Sequence, residues 1–414
     1  MYTFKNQPFT GLLFSLIIAI GLFSCGGDKN EASLSSVPQL IDRSEKIQLG
    51  KEWDFVQNFY AEQQESLRKN PNDNEAKLNL AQLYIKEARV TGEHGHYYPA
   101  ALQMIDQILD SKIENQDLKF RSLVTKAGVQ LSLHEFQDAL KTGQAALVLN
   151  PRNAQVYGVL VDCYVELGKY EKAVASADKM VSIKPDLRSY ARVSYLREIH
   201  GDVEGAFEAM KLAVKAGYPG YEETAWTKQT LAELSMRYGH LDQAKHIFEN
   251  ILETRENYPF AVAGLAEVLY EKGAIKAAEE KFNEAAGIIP EVGFFISLAQ
   301  IYKDQDRTEE FNKTIEEVLV MLKDDTDHGH NMNLEYADLY LNLMEDPEKA
   351  FEYANAEFEK RPENIDVNKM MAEIHLSMNK KDAAKKFSQV AMSTNSKNPD
   401  LLKLDSSINA ELNI

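Results

Sequence analysis

A small residue recurs along this chain at intervals that few architectures can satisfy. It falls at Ala101, Ala139, Ala173, Ala206, Ala244 and Ala278, is replaced by Phe311, and returns at Ala350 and Ala384. The successive differences are 38, 34, 33, 38, 34, 33, 39 and 34 residues. Between these positions the apolar residues return every three to four places, which is the period of a helix face. Asn150-Pro151, Lys184-Pro185, Ile289-Pro290 and Arg361-Pro362 each close a helix. A period near 34 residues means a stack of similar units, each burying its apolar stripe only against its neighbours. A chain of 414 residues built this way needs no single core.

The spacing carries a longer rhythm. Over steps of three units the differences are 105, 105, 105, 105, 106 and 106 residues, and Gly168, Gly273 and Asn379 occupy matching places. This reads as a three-unit block copied in tandem. Phe311 breaks the small-residue rule, so its packing layer is expected to be wider or shifted. Long connections are expected at Asp110–Phe120, Ala216–Trp226 and Lys323–Asn333.

Within one unit the residues run Tyr157, Leu160-Val161, Tyr164, Gly168-Lys169-Tyr170, Ala173, Ala177, Met180 and Pro185. A second copy runs Leu265-Ala266, Gly273, Ala278, Phe282, Ala285 and Pro290. These resemble tetratricopeptide repeats: two antiparallel helices, small residues where the backbones pack closest, and Pro at the end. The resemblance implies an all-α fold, a right-handed α-solenoid of about nine helix-turn-helix repeats with capping helices. The repeats fall roughly at 70–110, 120–151, 154–185, 187–216, 225–258, 259–290, 292–322, 330–362 and 365–399, within a body spanning 45–414. Trp53, Val56, Phe59, Tyr60 and Leu67 mark the cap at one end, and Leu401 to Leu412 the other. At about 9–10 Å per helix pair, nine repeats make a ribbon roughly 80–90 Å along its curve.

The N-terminus reads as an address. Lys5 is followed by a run of apolar residues from Leu12 to Phe23, too short to span a bilayer comfortably and matching the apolar part of a secretory signal. Leu22-Phe23-Ser24-Cys25, followed by Gly26-Gly27-Asp28, resembles a bacterial lipoprotein lipobox. That resemblance implies a signal peptide over 1–24, lipidation of Cys25 and a flexible tether over 25–44. It places the protein in the bacterial cell envelope, held to a membrane by acyl chains, with the outer membrane expected and the face left open.

Composition narrows the chemistry. Lys plus Arg number 46 against 64 Asp plus Glu, a net charge of −18, so no basic footprint exists for nucleic acid. Nucleophile elbows, phosphate loops and dinucleotide fingerprints are absent, and no motif calls for a cofactor or an enzyme. His134-Glu135 begins like a zinc-protease motif, but Asp138 stands where the second His is needed. Cys163 reads as a buried thiol. The most distinctive residues are two triplets, His94-Gly95-His96 and His328-Gly329-His330, both expected in insertions. Imidazoles two residues apart in a loop can chelate zinc or copper, with Asp324, Asp325 and Asp327 nearby. The competing reading is that His caps helix ends while Gly permits the turn. Without a third spaced ligand the sequence assigns no metal. Asp324, Gly329 and Glu335 stand at calcium-loop spacing, but Thr326 and His328 replace the expected oxygen donors.

In repeats of this type the first helices line the inner face. Threading that face yields mostly carboxylates, with Tyr195, Trp226, Glu233, Arg237, Glu267, Tyr270 and Glu271 as the candidate partner-binding residues. The Lys, Arg and Asn clusters with which related proteins grip a peptide carboxylate do not appear in this threading. The functional expectation is a membrane-tethered scaffold that holds a protein or peptide partner of the envelope in its concave face. Alternatives are an accessory subunit of an outer-membrane assembly or uptake complex and, more remotely, a metal-dependent enzyme using the histidine triplets.

Overall fold

A computed structural model describes residues 37–412. The signal segment, Cys25 and the first part of the tether expected from the sequence lie outside these residues. Helix α1 (Glu52–Lys69) opens the array. The first three pairs are α2 (Asn74–Thr91) with α3 (His94–Leu109), α4 (Gln116–Ser132) with α5 (Phe136–Leu149), and α6 (Ala154–Glu166) with α7 (Tyr170–Ile183). Then come α8 (Leu187–Ile199) with α9 (Val203–Ala216), α10 (Glu222–Arg237) with α11 (Leu241–Thr254), and α12 (Pro259–Glu271) with α13 (Ile275–Ala286). The last three are α14 (Val292–Asp304) with α15 (Thr308–Asp327), α16 (Asn333–Asp338) with α17 (Pro347–Lys360), and α18 (Ile365–Ser377) with α19 (Lys381–Ala391). Helix α16 runs on into a π turn over Leu339–Leu343, and α20 (Pro399–Leu412) closes the array. The fold is an all-helical solenoid, and no described helix is long and apolar enough to cross a membrane.

Local chemistry sets these boundaries. Asp73, Asn115, Asn153, Asp186 and Asn364 precede first helices, and each accepts a backbone N–H of the opening turn through its side chain. Pro259 and Pro347 sit in the first turn, where no N–H is missed. Each of the nine turns inside a repeat has one left-handed residue: Gly92, His134, Gly168, Gly201, Gly239, Gly273, Asp306, Glu345 and Asn379. The eight alanines of the 34-residue period are each 0% exposed, so they stand where helix backbones meet with no room for a larger side chain. Phe311, the exception, is only partly buried and joins two clusters, one around Ile289 and Phe294 and one around Val318 and Leu339.

Two features depart from the sequence reading. Over its described part, the expected tether is docked. The Pro38 carbonyl accepts from Tyr60 Oη at 2.9 Å and Tyr84 Oη at 2.6 Å, and Ile41 N donates to Tyr97 Oη at 3.0 Å. Arg43 forms a forked pair with Glu87, both bonds 2.7 Å, and also reaches Glu52 at 2.9 Å. Glu52 in turn meets Arg255 at 3.1 Å. Farther on, Ile47 is buried with Val262 and Phe294, Lys46 Nζ donates to the Gly287 carbonyl at 2.7 Å, and Asn257 Nδ2 donates to the Lys46 carbonyl at 3.1 Å. Val37 and Leu40 supply apolar contacts that the Gly- and Ser-rich composition upstream obscured. The segment is therefore a strap from the first repeat to the loops flanking the sixth.

The second departure is that the ribbon overlaps itself. Turns inside the early repeats rest on the loops between late ones. Asn331 N donates to the Leu133 carbonyl at 3.1 Å, and His134 Nδ1 lies 2.9 Å from the Asn331 carbonyl. Gln137 Nε2 donates to the Lys360 carbonyl at 3.0 Å, Asn364 Nδ2 to the Glu166 carbonyl at 3.1 Å, and Ile365 N to Tyr170 Oη at 2.8 Å. The separations of 197, 198 and 195 residues amount to a little under six repeats per superhelical turn. Successive turns touch along this seam, so the inner surface is walled where an open ribbon would leave a gap.

Candidate functional site

The first helices carry the charged and aromatic side chains of the inner face. Tyr195 on α8 is 37% exposed and Trp226 on α10 is 46% exposed, so both side chains are open to solvent. Arg237 at the end of α10 is ion-paired with Glu198 on α8. One turn earlier, Glu233 accepts from Gln229 Nε2 at 2.7 Å. Glu267 on α12 is close enough to Glu233 and Glu271 to feel both charges. The fold thus gathers Glu233, Arg237, Glu267 and Glu271 across α10 and α12, with Tyr195 tied to them through Glu198. Trp226 stands eleven residues before Arg237, about 16 Å along the helix, and marks a separate point of the surface. Tyr270 donates its hydroxyl to the Asp304 carboxylate on α14 and so belongs to the next repeat.

Much of the face is neutralised, contrary to the carboxylate-dominated sequence reading. Arg121 pairs with Glu75, Arg192 grips Asp162 through bonds of 2.8 and 2.6 Å, and Arg361 reaches Glu166 across the seam. Lys369 pairs with Glu373 at 2.9 Å. Sequence reasoning missed Arg192 although it precedes Tyr195 by three residues, a spacing that puts both on one helix face. Among the described residues no cation is ion-paired to Glu233, Glu267 or Glu271. Their surroundings show the strain of that arrangement. Glu267 is exposed, but the surrounding wall of the inner face, and then repulsion from Glu233 and Glu271, push its carboxyl up to about 7. The Tyr195 hydroxyl, though solvent-exposed, is enclosed by the inner wall and held well above its ordinary value by that enclosure and by the carboxylates of Asp366 and Glu166. The donated bond to Asp304 pushes Tyr270 up to about 12.

The overlap also collects histidines. His94 and His96 form the first turn of α3 instead of an insertion loop, and Asp324, Asp325 and Asp327 end helix α15 instead of lying in a connection. A calcium loop is therefore not formed there. The two triplets meet all the same: the rings of His94 and His330 lie 6.4 Å apart, and His134 lies 4.7 Å from His330. A cleft of about 750 Å³ opens beside them, walled by His94, His96, His328, Asp325 and Glu291. Burial there pushes Asp325 up to about 6 and Glu291 up to about 7. His96 Nε2 is occupied by the Gln39 carbonyl and His328 Nδ1 by the Asp324 carbonyl, each at 2.8 Å. Among the described residues no group of three His, Cys, Asp or Glu side chains is already disposed to hold a metal ion. Cys163 is buried and unpaired, and burial raises its thiol, so it is poorly suited to redox work.

Comparison with known proteins agrees with the repeat period. Residues 130–197 and 230–292 match family models described as tetratricopeptide repeat. Cellulose synthase operon protein C of Pseudomonas fluorescens (strain SBW25) is 24% identical over 148 residues, covering 34% of this chain and 11% of that protein. The chain therefore spans only about a tenth of that relative's length. Among solved structures, pilF of Pseudomonas aeruginosa aligns with TM-score 0.41 and 16% identity over 56% of this chain and 97% of that one. PilW, a type IV pilus biogenesis factor, aligns with TM-score 0.41 and 15% identity over 50% of this chain and 94% of its own. The human IFIT1 dimer aligns with TM-score 0.47 and 11% identity over 89% and 94%.

Proposed function

From the premise that this chain is a tetratricopeptide-repeat protein, we propose that it is a membrane-anchored scaffold of the bacterial envelope that holds a protein partner against its inner face. The observation that carries this reading is the patch of Glu233, Glu267 and Glu271, which has no described cation of its own and lies within reach of Arg237 and Tyr195. A partner segment rich in Lys or Arg supplies the missing charge, and Tyr195 and Trp226 supply the apolar contacts. Because the turns touch along the seam, an extended segment fits the inner face better than a folded domain. Cys25, through its lipobox context, is the proposed anchor.

Crosslinking in intact cells followed by mass spectrometry tests the reading directly. It predicts recurrent crosslinks between a basic segment of an envelope protein and lysines near α8–α12, reduced when Glu233, Glu267 and Glu271 are all changed to Gln. Crosslinks confined to the outer helices, or indifferent to that triple change, would move the binding surface elsewhere. Replacing Cys25 with Ser separately tests the anchor by releasing the protein from the membrane fraction.

A further inference from the structure

The seam within the chain is a ladder with one fixed step. A Cβ at Gly92, in the turn of the first repeat, would touch Ile289 in the loop after the sixth. His134 of the second repeat meets Asn331 after the seventh. Gly168 of the third backs onto Glu363 after the eighth, and Gly201 of the fourth onto Asn395 after the ninth. Each turn therefore rests on the loop that follows the repeat five places on.

The repeats run out before this pattern does. At Gly239 and Gly273, left-handed like Gly168, a Cβ would meet nothing within 4 Å. On the opposite edge, no hydrogen bond among the described residues brings a turn onto the loops 110–115, 150–153, 184–186 or 217–221. Asn364 caps its helix and donates its Nδ2 across the seam, and it is 1% exposed. Asn115 caps α4 in the same way, but it is exposed. We propose that a second copy of this chain supplies the missing rungs. The two copies stack head to tail, with the turns of the last repeats of one on the loops of the first repeats of the other.

The end helices set the register. Helix α20 of one copy and α1 of the next are single helices that together fill the place of one pair. A step of five then sets the turn of Gly273 on the loop 110–115, Asp306 on 150–153, Glu345 on 184–186 and Asn379 on 217–221. Opposite charges face one another at the first three rungs: Lys272 with Glu114, Asp306 with Arg152, and Glu345 with Lys184. Lys272, Glu345 and Lys184 have ion-pair partners within their own copy, all on the surface. Asp306 and Arg152 are exposed and have no ion pair among the described residues. At the fourth rung Lys380 meets Tyr218 and Tyr221, which are 76% and 69% exposed with their rings 6.1 Å apart, a surface suited to a cation. Two different edges of the molecule meet in this contact, so it does not close on a dimer.

Sedimentation velocity of the full chain, from micromolar to hundreds of micromolar, tests the proposal. The expected result is a series of species that grows past the dimer with concentration and shrinks as salt is added. Arg152→Asp and Asp306→Arg should each weaken association at least fivefold, and the two changes in one chain should restore it, because the charges are then exchanged between the edges. Arg152→Asp should melt like the unaltered protein. If the left-handed backbone at position 306 makes Asp306→Arg unstable, Asp306→Asn tolerates that backbone and should still weaken association. Tyr218→Ser should weaken it in a way that salt does not mask. The proposal is overturned by a chain that stays monomeric throughout, by a closed dimer, or by association indifferent to Arg152→Asp and Tyr218→Ser.

Discussion

A single left-handed residue per repeat lets two helices turn back within three or four residues, and its neighbours decide how much a change there costs. At Gly273 a Cβ would meet nothing within 4 Å, whereas at Gly168 it would collide with the backbone carbonyl of Glu363 on the overlapping turn. Gly273→Ala should therefore cost about 1 kcal/mol, the penalty of a left-handed side chain. Gly168→Ala should cost about 1–3 kcal/mol more because it also pushes against fixed backbone. Equal losses in urea unfolding would contradict the seam. A second contrast separates surface from core. Trp226→Ala should leave the melting temperature nearly unchanged and weaken partner binding by about 1–3 kcal/mol. Ala173→Trp should disrupt local packing, since Ala173 is 0% exposed. If Trp226→Ala melted the array as severely, Trp226 would belong to the core.

Among the elements, the strap over 37–47 ties the first repeat to the loops flanking the sixth. Arg43 and Glu87 have side chains 0% exposed, and their forked pair joins the strap to α2. Removing one member leaves the other charge buried and alone, which costs about 3–5 kcal/mol. Arg43→Met should therefore destabilise the first repeat by that order. The double change of Arg43→Met with Glu87→Leu should recover most of the loss, because the forked pair leaves together and Glu52 keeps Arg255 as its partner. Hydrogen exchange in α2 and at the loop around Asn257 checks both, and a double variant no better than the single would remove the pair from its proposed role. Helix α16 is another element that propensity alone leaves short. It ends in a π turn, where Tyr340 stacks with Tyr353 at 5.7 Å and Tyr336 with Tyr353 at 4.6 Å.

At the scale of the whole molecule, overlapping turns crowd carboxylates and imidazoles together, and stability becomes pH-dependent. Glu267 and Glu291 keep protons up to about pH 7 in the folded chain, against 4.5 for an ordinary glutamate. Between those values the folded state binds more protons than the unfolded one, so these groups make stability fall as pH rises toward 7. His330, lowered from 6.5 to about 4 by burial and then by His134 and His94, works the other way, with its stability lost as pH falls below 6.5. Above pH 6.5 the carboxylate effect is the one left of these. The melting temperature should drop between pH 6.5 and 8, and the combined change of Glu267→Gln and Glu291→Gln should shrink that drop. An unchanged slope in the double variant would show that both carboxylates are ordinary.

The sequence by itself determined the repeat, because a small residue every 34 positions is imposed by contacts between adjacent helices. The same local logic marked Gly168, Gly273 and Asn379 as matching places, and each is the left-handed residue of its turn. Only the tertiary structure decided what happens between residues some 195 apart. Whether the ribbon stays open or lands on itself depends on small rotations summed over nearly six repeats, and no single interval in the sequence carries that sum. Hence the docked strap and the approach of His134 and His94 to His330 were invisible. The same was true of the charge pairs: Arg361 lies beside Glu166 only because one turn of the superhelix rests on the next.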